Sequence, residues 1–148
     1  TAIRETENAQ ELTERLAELG AQALSQAVTE LTEGKAVRTP QAAEKATYAA
    51  MLSREMSTID WNRSAHEISC QVRGLIPWPC ASTDVIHGEM MKLYAVLEAG
   101  EATDAAPGEQ GIEIACGDGK RLRILELQAQ GGKRMSAAAY LLGHPIQC

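Results

Sequence analysis

The stretch IEIACGDGKRLRILEL, residues 112–127, decides the fold of this chain. Two apolar-rich runs, 112–116 and 120–127, flank the tripeptide Gly-Asp-Gly at 117–119. An Asp-Gly pair between two such runs is a strong hairpin signal, because tight hairpin turns require backbone angles that glycine tolerates best. The stretch therefore predicts two antiparallel strands joined by a short turn. The second strand is expected to be only partly amphipathic, since apolar side chains occur on both of its faces.

Two more short strands are predicted upstream of this hairpin. They cover residues 81–87 and 90–97 and flank the turn residue Gly88. Downstream, the pair of glycines at 131–132 is expected to end the last strand of the hairpin. The chain thus offers several short antiparallel strands in its second half.

Helical signals flank these strands. Ser64 and Glu67 have the spacing of a capping box, which predicts a helix that starts at Ser64 and ends before Pro77. A short helical turn is predicted from Ser53, and Ser136 is expected to cap a last short helix. Helices followed by short antiparallel strands indicate an α+β fold: an N-terminal helical segment and linker, then a small OB-like antiparallel β-barrel with flanking helices.

The N-terminal segment has the pattern of one amphipathic helix over residues 7–33. Thr6 or Asn8 could cap its start, Gly20 could divide it into two helices, and Gly34 fits the left-handed position after a helix end. Its apolar stripe at three- and four-residue spacing consists of Leu12, Leu16, Leu19, Ala23, Ala27 and Leu31. The segment 35–50 is predicted to be a linker, because its periodicity is weak and Pro40 forbids a continuous helix.

The charge of the chain argues against a free-standing nucleic-acid binder. The net charge is −6, whereas attraction to polyphosphates normally requires a basic face. The acidic side chains are concentrated in residues 1–33 and 81–119, and residues 34–80 and 120–148 are net basic. The two basic blocks could form one face if they are neighbours in space, or could be ordinary surface charge.

Four basic residues are candidates for phosphate contacts. Lys133 and Arg134 follow two glycines and precede a predicted helix start, where backbone N–H groups also favour anions. Arg73 on the predicted 64–74 helix and Lys45 in the linker are weaker candidates. All four could equally be solvated surface side chains. A tryptophan between two prolines, Trp78, could serve as a stacking platform for a base, but a packing corner is the more frequent use of such a motif.

Other chemistry has little support in the sequence. The four cysteines and three histidines do not have metal-ligand spacing, so no metal site is expected, and Cys70 and Cys116 are predicted to be buried thiols. No histidine has a visible nucleophile partner, so triad chemistry is unsupported. No apolar run reaches membrane-spanning length. The chain begins without methionine and is expected to be a fragment.

An ordered series of motifs resembles the C-terminal part of the methionyl-tRNA formyltransferase family. The series runs through Thr47-Tyr48-Ala49, Ile59-Asp60-Trp61, Arg73, Pro77-Trp78-Pro79, Ala115-Cys116-Gly117-Asp118-Gly119, Leu127-Gln128 and Met135-Ser136-Ala137. The resemblance implies that residues 1–34 are the last helices of the formyltransferase domain, 35–50 the linker and 51–148 the OB-like C-terminal domain. The chain departs from the family after Pro107-Gly108, where a barrel strand is expected to be missing, and at its end, where it stops short of a terminal strand.

The resemblance also implies a function for the parent protein. Such an enzyme transfers a formyl group from 10-formyltetrahydrofolate to the amine of initiator methionyl-tRNA in translation initiation. Its catalytic and folate-binding residues belong to a region absent here, so this chain is expected to be inactive alone. By analogy, Lys45, Arg73, Lys133 and Arg134 would contact the tRNA. The expected location is the bacterial cytoplasm, alternatively the mitochondrion, and the expected state is a monomer.

Two alternatives remain open at this stage. The chain could be the C-terminal domain of another formyltransferase, or of a formyltetrahydrofolate hydrolase, which acts on a small molecule and has no need of a basic patch. It could also be a non-catalytic interaction module in which residues 7–33 dock on a partner.

Overall fold

A computed structural model describes residues 1–99 and 111–145. It divides into two compact units, Thr1–Met51 and Leu52–Cys148. The first unit contains α1 (Ala9–Thr32) and a 3₁₀ turn, Ala43–Lys45. The second contains a 3₁₀ turn (Arg54–Ser57), α2 (Ala65–Gly74), β1 (Ala81–Thr83), β2 (Met91–Ala99), β3 (Ile112–Ala115), β4 (Arg121–Ala129), β5 (Met135–Ser136) and α3 (Ala137–Gly143). The protein is therefore α+β, as predicted.

The first unit is organised around the N-terminal end of α1. Asn8 is the helix cap: its side chain accepts the backbone N–H of Glu11, and the Glu11 carboxylate accepts the N–H of Asn8. The preceding residues are held by Glu7, whose carboxylate accepts two hydrogen bonds from Arg15, each of 2.7 Å. The helix continues through Gly20 without a break, and Gly34 has a φ of +67°, so it occupies the predicted left-handed position.

The apolar stripe of α1 is exposed. None of the residues of α1, all of which the structure describes, is buried. Leu16, Leu19 and Leu31 of this stripe are 45%, 41% and 63% exposed. The predicted periodicity is therefore present, but the part of the chain that the structure describes does not bury this face.

The sheet of the second unit is antiparallel, with the order β1-β2-β4-β3, and β5 also pairs with β4. The predicted hairpin is present: Ile112 pairs with Ile124, and Ala115 pairs with Arg121. Among residues 1–99 and 111–145 the pairings form an open path, and none of them closes the sheet into a barrel. The two expected departures from the family, a barrel strand missing after Pro107-Gly108 and a terminal strand missing at the end of the chain, concern positions that lie outside the described residues.

The core of the second unit lies between the sheet and α2. The register of β2 on β4 shifts between Leu93 and Val96, and this bulge changes which parity of β4 faces inward. As a result Leu122, Ile124 and Leu127 are all fully buried. The largest fully buried side chains are Ile68, Val72, Met91, Leu93, Leu122, Ile124 and Leu127.

Helix α2 follows the sequence prediction closely. Ser64 and Glu67 form the predicted capping box, and Ala65, Ile68 and Val72 are buried against the sheet. A second contact secures its start, since the backbone N–H of Ala65 donates to the Asp118 carboxylate of the β3–β4 turn at 3.3 Å.

Two predictions about the second unit were wrong in detail. β1 ends at Thr83 and not near residue 87, because its pairing with β2 ends where Thr83 pairs with Met91. Residues 85–88 form a turn, in which His87 and Gly88 have φ values of +55° and +72° that an extended strand does not allow. Cys70 is exposed, because its position on α2 faces away from the buried Ile68 and Val72.

Candidate nucleic-acid contact surface

The segment between β4 and β5 presents the two adjacent basic residues predicted to contact phosphates. Gly131 turns the chain with a φ of +73°, and the backbone N–H of Gly132 donates to the carbonyl of Ala129 at 2.9 Å. The side-chain amide of Gln128 donates to the carbonyl of Gly132, also at 2.9 Å. The backbone that precedes Lys133 is thus fixed by hydrogen bonds to the end of β4.

Arg134 lies across the ring of Tyr94. Its guanidinium carbon is 4.6 Å from the ring centroid, within cation–π range. The Arg134 Nε donates to Glu126 Oε2 at 2.9 Å, and a second guanidinium nitrogen donates to the same oxygen. The side chains of the ion pair are 54% and 40% exposed, so the charges of Arg134 and Glu126 remain accessible to solvent.

Tyr94 is itself held in place from the neighbouring strand. Its hydroxyl donates to Gln128 Oε1 at 2.7 Å. Burial raises the pKa of the Tyr94 hydroxyl, the neighbouring Cys80 thiol raises it further, and only the Arg134 charge acts in the opposite direction. The Tyr94 hydroxyl therefore remains a neutral donor at physiological pH. The ring of Tyr94 packs against the Arg134 guanidinium. We call Tyr94, Glu126, Gln128, Lys133 and Arg134 the basic-loop cluster.

Lys133 adds a second cation beside Arg134. Its side chain is exposed, and it makes no ion pair with any residue of the described ranges. Gln128 and Gly131, which precede Lys133 in the chain, help to line an open cavity of about 320 Å³ together with Lys92. The surface around residue 130 therefore has accessible positive charge and a concave region beside it.

The other two predicted residues lie elsewhere. Arg73 is half-buried in the last turn of α2, where its Nη2 donates to Cys70 Sγ at 3.4 Å. Lys45 is exposed in the 3₁₀ turn of the first unit. The structure therefore brings together Lys133 and Arg134, and places Arg73 and Lys45 on separate elements.

Sequence reasoning missed the residues that hold Arg134. Tyr94 and Gln128 approach because β2 and β4 pair in a register where Lys92 opposes Gln128. This register cannot be read from one sequence. Trp78 lies in a motif whose more frequent use is a packing corner. Its side chain is nevertheless 51% exposed.

Within 1–99 and 111–145, no group of three or more histidine, cysteine, aspartate or glutamate side chains could hold a metal ion. Over the same residues, no helix is long and apolar enough to cross a membrane.

Comparison with known proteins identifies the relatives of the chain. The sequence model of the formyl transferase C-terminal domain matches residues 51–145. The methionyl-tRNA formyltransferase of Caldanaerobacter subterraneus is 38% identical over 98% of this chain and 48% of its own length. That of Trichlorobacter lovleyi is 41% identical over 99% of this chain and 47% of its own length. The chain thus spans about half the length of the curated relatives it matches.

Solved structures with a similar fold include HypX from Aquifex aeolicus in complex with tetrahydrofolic acid. It superposes with a TM-score of 0.57 at 19% identity, covering 81% of this chain and 22% of HypX. A HypX variant gives a TM-score of 0.60 at 21% identity, covering 95% of this chain and 27% of that structure. At this level of identity the likeness concerns the fold alone. Through residues 51–145 the chain belongs to the formyl transferase C-terminal domain family, and its relatives are methionyl-tRNA formyltransferases.

Proposed function

We propose that this chain is the C-terminal, tRNA-engaging part of a methionyl-tRNA formyltransferase. The complete enzyme would transfer a formyl group from 10-formyltetrahydrofolate to the amine of initiator methionyl-tRNA in the bacterial cytoplasm. The observation that carries this proposal is the match to curated methionyl-tRNA formyltransferases at 38–41% identity along nearly the whole chain. The folate site and the catalytic residues would belong to the half of the enzyme that precedes this chain.

The proposal divides the chain into three parts. Residues 1–34 would complete the formyltransferase domain, 35–50 would be the linker, and 51–148 the C-terminal domain. The exposed apolar stripe of α1 is consistent with this division, because a helix that packs on a missing domain leaves its apolar face uncovered. We further propose that the sheet belongs to an OB-like barrel, and that the enzyme is a monomer.

Phosphate contacts by Lys133 and Arg134 are physically reasonable even though Arg134 forms an ion pair with Glu126. An exposed ion pair contributes only about 0–1 kcal/mol, so exchanging the Glu126 carboxylate for a phosphate would cost little. The Tyr94 ring would keep the guanidinium in place during this exchange. Such contacts position a nucleic acid without reading its sequence.

The net charge of −6 does not exclude this role. At physiological ionic strength the Debye length is about 8 Å, so acidic groups farther away from a phosphate are largely screened. The local charge of the basic-loop cluster therefore matters more than the sum over the chain. Arg73 and Lys45 remain proposed contacts on separate elements, whose effects are expected to be smaller.

The test is binding of fluorescently labelled initiator tRNA to this chain at low salt, combined with a formyl-transfer assay on methionyl-tRNA. We expect measurable binding and no formylated product. Absence of binding at low salt would contradict the proposed role, and would favour a formyltransferase or hydrolase that acts on a small molecule. Formylated product would contradict the assignment of catalysis to the missing half.

A further inference from the structure

The outer face of α2 carries three chemically active side chains in a row. His66, Cys70 and Arg73 are separated by four and three residues, a spacing that places them on one side of a helix. Cys70 is exposed, whereas Cys80 and Cys116 are buried. The formyl-transfer role proposed above gives the Cys70 thiol no function.

The thiol lies between a potential base and a cation. Cys70 Sγ is 3.6 Å from His66 Nε2, and Arg73 Nη2 donates to the same sulfur at 3.4 Å. A second element orients the imidazole, since His66 Nδ1 is 3.0 Å from Glu98 Oε1 on β2. Because a carboxylate accepts, the hydrogen bond to Glu98 favours the tautomer with the proton on Nδ1 and leaves Nε2 able to accept the thiol proton.

This arrangement contains the parts of an activated nucleophile. The nucleophile is within reach of a base, and a third group orients that base. A cationic neighbour favours the thiolate, which is the reactive form of cysteine. The other described thiols lack these features; for example, burial raises the pKa of the Cys116 thiol, and Asp118 adds to this effect.

We propose that Cys70 is a reactive thiol that forms mixed disulfides with low-molecular-weight disulfides of the glutathione type. His66 takes the thiol proton, Glu98 positions His66, and Arg73 stabilises the thiolate. The Cys70 sulfur attacks one sulfur of the disulfide, so that a new S–S bond forms and the original S–S bond breaks. The departing thiolate takes the proton from His66, and the exchange needs no other oxidant.

The experiment measures the rate at which Cys70 reacts with oxidised glutathione and, as a second probe, with iodoacetamide. Trypsin cleaves after Arg63 and Arg73, so Cys70 is the single cysteine of the peptide SAHEISCQVR (residues 64–73) and mass spectrometry follows it separately. The variants are His66→Gln and Glu98→Gln. Glu55→Gln, an exposed carboxylate on another element, is the matched control for Glu98→Gln.

At neutral pH we expect Cys70 of the folded protein to react about tenfold faster than Cys70 of the same protein in denaturant, where the helix is lost. His66→Gln should lower the native rate at least about threefold and leave the denatured rate unchanged. Glu98→Gln should lower the native rate less, and Glu55→Gln should not lower it. Among the described residues, the ionisable groups facing the thiol are His66, Arg73 and, through His66, Glu98.

Two results would overturn the proposal. One is a native rate no greater than the denatured rate, which is the behaviour of an ordinary exposed thiol. The other is a native rate that is the same in wild type and His66→Gln, with circular dichroism showing that both are folded. Because the readout is thiol chemistry alone, failure of this proposal would leave the proposed tRNA role unaffected, and the converse also holds.

Discussion

Replacing Gly117 by alanine should disconnect the β3–β4 turn from the start of α2. A Cβ atom at this position would lie 1.7 Å from the carbonyl oxygen of Asn62 and 2.4 Å from its carbonyl carbon. Contacting carbon atoms prefer about 3.5–4 Å, so one segment must move by about 2 Å. The movement would strain or break the hydrogen bond from the Gly117 N–H to the Arg63 carbonyl, which is 2.8 Å long. It would also disturb the bond from Ala65 to Asp118, which is 3.3 Å long.

The magnitude follows from these contacts. Forcing extra volume into a packed site costs about 1–3 kcal/mol, and each hydrogen bond contributes about 0.5–1.5 kcal/mol. We therefore expect Gly117→Ala to lower the free energy of unfolding by about 2–6 kcal/mol. Gly74 is the matched control, because a Cβ there meets nothing within 4 Å. It lies in a helix, so Gly74→Ala should leave stability unchanged or raise it by up to about 1 kcal/mol.

Urea unfolding followed by tryptophan fluorescence measures this difference. The two tryptophans of the chain, Trp61 and Trp78, both belong to the second unit, so the signal reports on the unit that contains Gly117. A loss below about 0.5 kcal/mol for Gly117→Ala, within the usual range of surface substitutions, would refute the reasoning. A loss of similar size for Gly74→Ala would show that the effect is not specific to the close approach at Asn62.

Three further predictions concern the second unit. Glu113→Gln should lower the free energy of unfolding by about 1–3 kcal/mol, because it weakens charged hydrogen bonds to the buried Arg123; an unchanged urea midpoint would contradict this. Leu127→Ala should cost about 2–5 kcal/mol in the same assay, since its side chain is fully buried, and a loss under about 1 kcal/mol would show that the side chain is not in the core. The pKa of Glu67 is lowered from 4.5 to about 2, first by its hydrogen bond to Arg63, so the stabilising contact is fully present above pH 4.5 and is lost as pH falls toward 2. An NMR titration of the Glu67 carboxyl group with a midpoint near 4.5 would disprove this contact.

Helix boundaries were predictable because their signals are local. Asn8, Ser64 and Ser136 each accept a backbone N–H from the third residue beyond, as their positions before apolar repeats suggested. The hairpin at 117–119 was equally predictable, since the Gly-Asp-Gly sequence meets the backbone requirements of a turn within three residues.

Features that depend on pairing between distant segments were not predictable. The register shifts between β2 and β4 bring Leu127 into the core although its parity differs from that of Leu122 and Ile124. The exposure of Cys70 was missed for a similar reason, because apolar neighbours in sequence do not say which face of a helix packs inward.

The charged residues of the candidate site were identified from the sequence, but the residues that hold them in place were not. Lys133 and Arg134 were identified from their position after two glycines and before a helix start. Tyr94 and Glu126, which contact Arg134, and Gln128, which holds Tyr94, were not identified. They come together only through the register of β2 and β4 and the return of the chain to β5. A single sequence specifies which residues carry charge but not the strand register that gathers them.

The most direct test of the central claim is the salt dependence of initiator tRNA binding to this chain and to its Lys133→Gln/Arg134→Gln variant. Each phosphate contact that is lost should reduce the slope of log K against log salt by about one unit. We predict a reduction of about two units for the double variant, with near wild-type behaviour for Lys120→Gln, an exposed lysine in the β3–β4 turn. Equal slopes for wild type and the double variant would contradict the claim that the basic-loop cluster holds tRNA.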